Sequence, residues 1–236
     1  MNINYKHIVF LFLAISFLTS CKTLEQASLH GLTSGYYTLN NKHKQSRDVY
    51  LDVIDDQIDV YHQTNRHPHA KRLFAINLMT SDSLAVNKMV FKKQSLDIDI
   101  TSILLKYRPS VRGLPAQLNT ELNVALYAGW RYDNFRITNK ADPLGKRYQK
   151  VSNMGYDFGF FAGPGTAIIN PFTTNDRREN DYSGMIIQYG IAGFLESNVA
   201  SFGLSIGYDH LLNPDRMIWI YRNKPWVGFI VGIALN

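Results

Sequence analysis

The pentapeptide Gly203-Leu204-Ser205-Ile206-Gly207 satisfies the G-x-S-x-G spacing that seats a nucleophilic serine on a sharp turn between a strand and a helix. That chemistry requires the strand pattern to stop at the serine and a helical pattern to follow. In ASFGLSIGYDH, Ala200 to His210, apolar and small residues alternate straight through the motif. Ser205 therefore reads as a strand residue that lets neighbouring strands approach closely. His210 directly follows Asp209, and adjacent strand residues face opposite ways, so these two do not make a dyad. Nowhere does the chain carry the His-x-Ser spacing that would put both groups on one face. A metal site needs ligands that converge. His62, His67 and His69 cluster in sequence, yet the RHPHAK stretch contains Pro68 and is flanked by Arg66, Lys71 and Arg72, which oppose a cation, so it reads as a solvated loop. NDRREND, Asn175 to Asp181, has three carboxylates, but Arg177 and Arg178 neutralise them internally and no glycine supplies the bend of a calcium loop. The expectation is an exposed loop, with no catalytic residue, no metal site and no cofactor, and the reading leans away from an enzyme.

The polar residues that remain belong to the elements that carry them. In Ala200 to His210 one face holds Phe202, Leu204, Ile206 and Tyr208; the other holds Ser201, Gly203, Ser205, Gly207 and Asp209. WVGFIVGIALN repeats this, with Val227, Phe229, Val231, Ile233 and Leu235 against Gly228, Ile230, Gly232 and Ala234. ELNVALYAGWRYD, Glu121 to Asp133, sets Leu122, Val124, Leu126, Ala128 and Trp130 against Glu121, Asn123, Tyr127, Arg131 and Asp133. YDFGFFAG and IIQYGIAGFLE add two more segments, and DIDITSILLKY, Asp97 to Tyr107, is a weaker sixth.

A soluble sandwich turns its large apolar face inward and a charged face outward. Here the second face is glycine, serine and alanine with isolated charges, which fits the lumen of a narrow barrel whose apolar face meets lipid. The fold expected is all-β, an antiparallel up-and-down membrane β-barrel over residues 97–236. Six strands are readable, and two from the preceding region would bring the number to about eight. Glu121, Asn123, Tyr127, Arg131, Asp133, Asp157, Gln188, Glu196 and Asp209 are then expected to share the lumen as a polar network, with carboxylates pairing Arg131. Trp130, Tyr132, Tyr156, Phe172, Tyr182, Tyr208, Trp219, Tyr221 and Trp226 lie near segment ends, where interfacial girdles are expected. The connection at Ser197 to Val199 is short; those from Asn170 to Ser183 and from Leu211 to Lys224 are long, as in barrels with turns on one side and loops on the other.

Residues 21–96 have a different texture. They are more polar, with strand candidates at Gly35 to Leu39, Asp48 to Asp55, Gln57 to Gln63 and Met89 to Gln94. The middle two read as a hairpin turning at Asp55-Asp56. This stretch is expected to form a small β-rich region outside the membrane, or to lend strands to the barrel.

Residues 1–20 divide into a short segment with Lys6, an apolar run IVFLFLAISF, and Leu18-Thr19-Ser20 ahead of Cys21. That is the layout of a secretory signal peptide, and the run is too short to span a bilayer permanently. LTSC is similar to the lipobox of bacterial lipoproteins, which implies lipidation of Cys21 and cleavage before it. Two or more acyl chains hold a protein stably where one does not. Cys21 is the single cysteine of 236 residues, so the body has no disulfide framework and no thiol chemistry. Removing Lys6 takes the formal charge from +6 to about +5. The basic residues are scattered through loops rather than clustered on a helix, so no nucleic acid partner is expected and anionic lipid headgroups fit better. KTLEQAS after the cysteine lacks an acidic run and a leading Asp, which favours the inner leaflet of an outer membrane.

The blocks LDIDITSILLKYRPS, LPAQLNTELNVALYAGWRYDNFRI and IWIYRNKPWVGFIVGIALN, together with the lipobox, resemble uncharacterised outer-membrane β-barrel lipoproteins of Gram-negative bacteria. The likeness spans Gln94 to Asn236. It implies a location and an architecture, with outer-membrane lipids and other envelope proteins as partners, and it transfers no catalytic residue. Asn236 departs from the terminal aromatic common in outer-membrane barrels. The function expected is a lipid-anchored barrel with a filled lumen, in a structural or interaction role at the cell envelope, its N-terminal region periplasmic. Two other functions fit the same residues: an enzyme modifying outer-membrane lipids, and a lipid-tethered periplasmic barrel that binds a small ligand.

Overall fold

The computed structural model describes residues 31–41, 44–79, 89–111, 113–197 and 201–233. Cys21 and the whole leader lie outside them. Eleven strands form one antiparallel sheet: β1 (Gly35–Asn41), β2 (Lys44–Ile54), β3 (Gln57–Thr64), β4 (His67–Asn77), β5 (Met89–Arg108), β6 (Gln117–Asn119), β7 (Val124–Ala141), β8 (Arg147–Ile169), β9 (Tyr182–Ser197), β10 (Ser201–Leu211) and β11 (Pro225–Ile233). A single helical turn, α1 (Pro171–Thr174), follows β8, and a 3-10 turn at Pro214–Met217 follows β10.

β5 organises the sheet. One of its edges pairs with β7 from Met89↔Ile137 to Ser102↔Val124. The other edge is divided, with β1 taking Val90 to Lys92 and β11 taking Ile100 to Tyr107. The pairing β5-β7-β8-β9-β10-β11 therefore returns to β5, a circuit of six strands joined in up-and-down order. From the first part of β5 the remaining strands continue as a wing, β1-β2-β3-β4. The wing's far edge is tied back across the long strands, because the Gln149 N–H in β8 donates to the Leu78 carbonyl just past β4, at 2.9 Å.

The two parts have opposite polarity. In the wing, Tyr37, Val49, Leu51, Ile58, Val60 and Ile76 pack on Phe91, Phe135, Ile137 and Val151 from the first part of β5 and the far parts of β7 and β8. This is an apolar core under a polar exterior. Around the circuit the order reverses: Leu126 is 63% exposed and Phe160 59%, whereas Asp157 is 3% exposed and Lys106 0%. The inward face is continuous along β7. It runs from Ala125 and Tyr127 through Gly129, Arg131 and Asp133 into Phe135 and Ile137. One strand face thus serves a charged interior at one end and an apolar core at the other.

Six strands enclose less space than the eight whose side chains already fill a barrel interior, so small residues must face large ones. A Cβ on Gly159 would come within 2.2 Å of the Ala128 carbonyl oxygen and 2.3 Å of the Gly129 Cα. Gly207 makes room for the Trp226 ring, which would lie 2.6 Å from an added Cβ.

Several expectations are corrected. The circuit has six strands, since β1 to β4 turn away into the wing instead of lengthening it to eight. The boundary expected between residues 96 and 97 falls inside β5, which runs unbroken through it. RHPHAK belongs to a strand: His67 opens β4, and Asn65-Arg66 forms the two-residue turn from β3, both with positive φ, 52° and 61°. Such primed turns match strand twist, and Pro68 is tolerated because β4 is the edge of the sheet. Trp219, Tyr221 and Trp226 are buried rather than girdling the outside. Trp130, Tyr156 and Phe172 are exposed.

Candidate functional site: the charged interior and its covered mouth

The inward face of the circuit carries two charged groups separated by apolar packing. Toward the wing, Arg131 Nε donates to Asp133 Oδ2 at 2.9 Å, and its Nη1 lies 3.6 Å from Asp97 Oδ2. Asn153 Nδ2 donates to Asp133 Oδ1 at 2.9 Å, and the Tyr127 hydroxyl donates to Asp157 Oδ1 at 2.5 Å. Asp97 and Asp99 are buried on the same face of β5. Next along the interior, Tyr127, Phe161, Phe194, Trp226, Ile103 and Ile230 pack together and fill the space between the two groups.

Toward the loops stands the second group. Asp209 in β10 accepts from Lys106 Nζ at 3.0 Å, from Trp226 Nε1 at 2.9 Å and from Arg108 Nη2. The Lys106 ammonium also sits 4.5 Å from the Trp226 ring centre. Among the described residues Asp209 is the one carboxylate bridged to either cation. Lys106 and Arg108 reach the interior through a bulge. Inward positions of β5 are odd-numbered up to Ile103, the register against β11 slips between Phe229 and Ile230, and from Lys106 onward the inward positions are even. The Leu104-Leu105 doublet absorbs the extra residue, as a bulge re-aims the side chains beyond it.

Residues expected in the lumen divide accordingly. Tyr127 and Asp157 meet each other, Arg131 meets Asp133, and Asp209 belongs to the second group. Gln188 Nε2 donates to the Val124 and Pro164 carbonyls, each at 3.2 Å, and so ties β9 to its neighbours. Asn123 Nδ2 donates to the Glu121 carbonyl at 2.7 Å. Glu121 is half-buried before β7 and accepts from Asn119 Nδ2 at 3.2 Å. The side chain of Glu196 lies outside the described residues. Ser205 Oγ donates to the Gly228 carbonyl at 3.3 Å in the middle of a straight strand, which is no nucleophile elbow. His210 points outward from β10. His69 Nε2 lies 3.1 Å from Thr64 Oγ1, and its ring meets that of His62 at 5.1 Å. Among the described residues no group of three or more His, Cys, Asp or Glu is placed to hold a metal.

Sequence reasoning passed over Lys106, Arg108, Asp97 and Asp99. The signal for the first two was the doublet in ILLKYR: an interruption of alternation with a cation two residues later is what a bulge looks like in one dimension.

The long connections close the end beyond Arg108. Trp219, Ile220 and Tyr221 pack on Ala167, Ile169, Ile186 and Leu211. Asn170 caps α1, accepting from the Thr173 N–H, and the Ile220 N–H donates to the Thr173 carbonyl at 3.0 Å. Arg178 grips Asp215 with two hydrogen bonds, of 2.8 and 2.6 Å, and the Tyr182 hydroxyl donates to the same carboxylate at 2.6 Å. The Arg178 guanidinium and the Tyr182 hydroxyl hold the Asp215 carboxyl below the usual carboxylate range. Loop 170–181 is thereby fastened to loop 212–224.

A cavity of about 220 Å³ remains beneath this cover, lined by Arg108, Gln117, Asn119, Asn170, Thr173, Trp219 and Tyr221 among others. Burial pushes the Tyr221 phenol up, so its proton stays in place at neutral pH. Comparison with protein-family models, curated proteins and solved structures finds no match to this chain.

Proposed function

We propose that the six-strand circuit is a filled outer-membrane β-barrel, lipid-anchored at Cys21, with a structural or interaction role carried by its wing and its loops. The observation behind this is the reversal of polarity within one sheet. Large apolar side chains stay outside and charges inside only where the surroundings are less polar than the interior. On β8 the outward apolar positions begin at Met154 and continue through Tyr156, Phe158, Phe160, Ala162 and Pro164. That length suits the roughly 9–11 residues of a tilted membrane strand. Below Met154 the outward positions of the same strand are Ser152, Lys150 and Tyr148, level with the apolar core of the wing.

The circuit interior is plugged by the aromatic cluster around Tyr127, Phe161 and Trp226, so the barrel is a scaffold and not a pore. The long loops face the cell exterior and the wing faces the periplasm, where the leader would deliver it and where the tether can hold it against the inner leaflet. The resemblance to outer-membrane β-barrel lipoproteins carries the same reading, and outer-membrane lipids are the partners it names. A lipid-modifying enzyme needs a nucleophile and base on one face, and Ser205 and His210 face opposite ways. A carrier of small apolar ligands needs an open apolar cavity, whereas the apolar part of the interior is filled by its own side chains and the cavity at the mouth is lined by Arg108 and amides.

The test is fractionation of cells making the full chain and its Cys21→Ser variant. Both should remain in the membrane pellet after alkaline extraction and show heat-modifiable gel migration, the variant in lower amount. Release of Cys21→Ser into the alkaline supernatant would overturn the barrel and leave only the tether.

A further inference from the structure

Arg108 is 1% exposed, and among the described residues only one of its three guanidinium nitrogens, Nη2, has an acceptor. Its Nε and Nη1 are buried without a hydrogen-bond partner among the described residues. A buried cationic donor without an acceptor is costly, and protein interiors rarely leave one so. Two more donors beside it are in the same condition, Trp219 Nε1 and the Tyr221 hydroxyl. Both rings pack against the guanidinium, with centres 5.4 and 4.9 Å from its carbon, which fixes its orientation. All three side chains line the cavity of about 220 Å³, together with the amides of Gln117, Asn119 and Asn170.

Charge points the same way. Among the described residues Asp209 is the one carboxylate bridged to Lys106 and Arg108, and it also accepts from Trp226; Glu121 acts on Lys106 only through space. Neutralising one cation leaves the other in need of a counter-charge.

We propose that this cavity is a binding site for an oxyanion, a phosphate or carboxylate group of a small solute. The guanidinium of Arg108, the Trp219 indole N–H and the Tyr221 hydroxyl are its donors. The oxyanion supplies the acceptors these groups lack, and its charge lies against the face of the Arg108 guanidinium that Asp209 does not reach. Access is from the loop side, under the cover that Arg178 and Asp215 pin in place, and the volume admits a group of phosphate size with a short substituent. The site lies at the loop-covered mouth of the circuit, and the donors that define it do not depend on whether the outer face meets lipid.

Titration calorimetry on the purified full chain in detergent micelles tests this, with inorganic phosphate and acetate as probes and chloride as control at equal ionic strength. Saturable one-to-one binding of phosphate, acetate or both is expected, and which of them binds decides between a phosphoryl and a carboxylate ligand. Tyr221→Phe removes a donor that has no partner among the described residues, so folding, read by heat-modifiable migration, should be unchanged while affinity falls about tenfold. Arg108→Lys should abolish binding; if it also fails to fold, Tyr221→Phe alone decides. The proposal is overturned if no oxyanion binds saturably up to about 10 mM, if chloride binds equally well, or if Tyr221→Phe binds as the parent does.

Discussion

Replacing Phe160 with arginine separates a lipid surrounding from an aqueous one by its sign and size. Phe160 sits in the middle of the outward row of β8, 59% exposed, beside outward Ala128 on β7 and Ile191 on β9. In water this substitution removes an exposed apolar ring and adds a charge that can be solvated. Surface changes of that kind stay within about 0.5 kcal/mol. In a bilayer the same guanidinium must be dragged into hydrocarbon, at a cost of about 2–4 kcal/mol near the midplane. Each 1.4 kcal/mol is about tenfold in an equilibrium constant, so the folded fraction should fall by roughly 30- to 700-fold. The control is Tyr148→Arg on the same outward face of the same strand, level with the wing, where about zero is expected. Urea titration of the chain refolded into phosphatidylcholine vesicles, scored by heat-modifiable migration, reads both. Equal, small effects at residues 160 and 148 would refute the membrane belt. A large effect at both would mean that the wing surface is buried as well.

Asp209→Ala should destabilise the fold by about 3–5 kcal/mol, because it strands the buried Lys106 and Arg108 without their shared carboxylate. Urea midpoints measure it, and a change below about 1 kcal/mol would show the cluster to be solvated. Gly159→Val should block assembly of β7 against β8, since even the first added carbon meets backbone at 2.2 Å; a normally folded variant would contradict the spacing. Ile58→Ala should cost about 2–5 kcal/mol in the wing core, seen as faster hydrogen exchange of β2 and β3 amides with those of β10 unaffected. Uniform acceleration would mean that wing and circuit unfold as one unit. The Asp215 carboxyl titrates lower folded than unfolded, so the clasp it makes contributes fully above the unfolded pKa near 4 and is lost as pH falls through the folded value. Proteolysis of loops 170–181 and 212–224 should therefore rise below about pH 4 and be pH-independent in that window in Asp215→Asn; a parent loop equally resistant there would refute the clasp.

Alternation in β7, β8, β9, β10 and β11 is local, because successive strand side chains take opposite faces whatever the strand packs against. The sequence alone therefore determines that Leu204 and Leu126 share one kind of face and Gly203 and Tyr127 the other. The turn at Asp55-Asp56 is legible for the same reason. Three things depend on partners distant in the chain, and only tertiary structure decides them. The first is the dividing of β5's second edge between β1 and β11, which sets six strands in the circuit and sends the rest into the wing. The second is the slip of register at Leu104-Leu105, which brings Lys106 and Arg108 to Asp209, a residue about a hundred positions away. The third is the fate of aromatics at segment ends. Trp130 stays outside on β7 and Trp226, on the inward face of β11, meets Asp209, while Trp219 and Tyr221 fold over the mouth because the loop that carries them closes that end. Periodicity fixes which residues face together; which face is inside, and what waits there, is fixed by closure of the sheet.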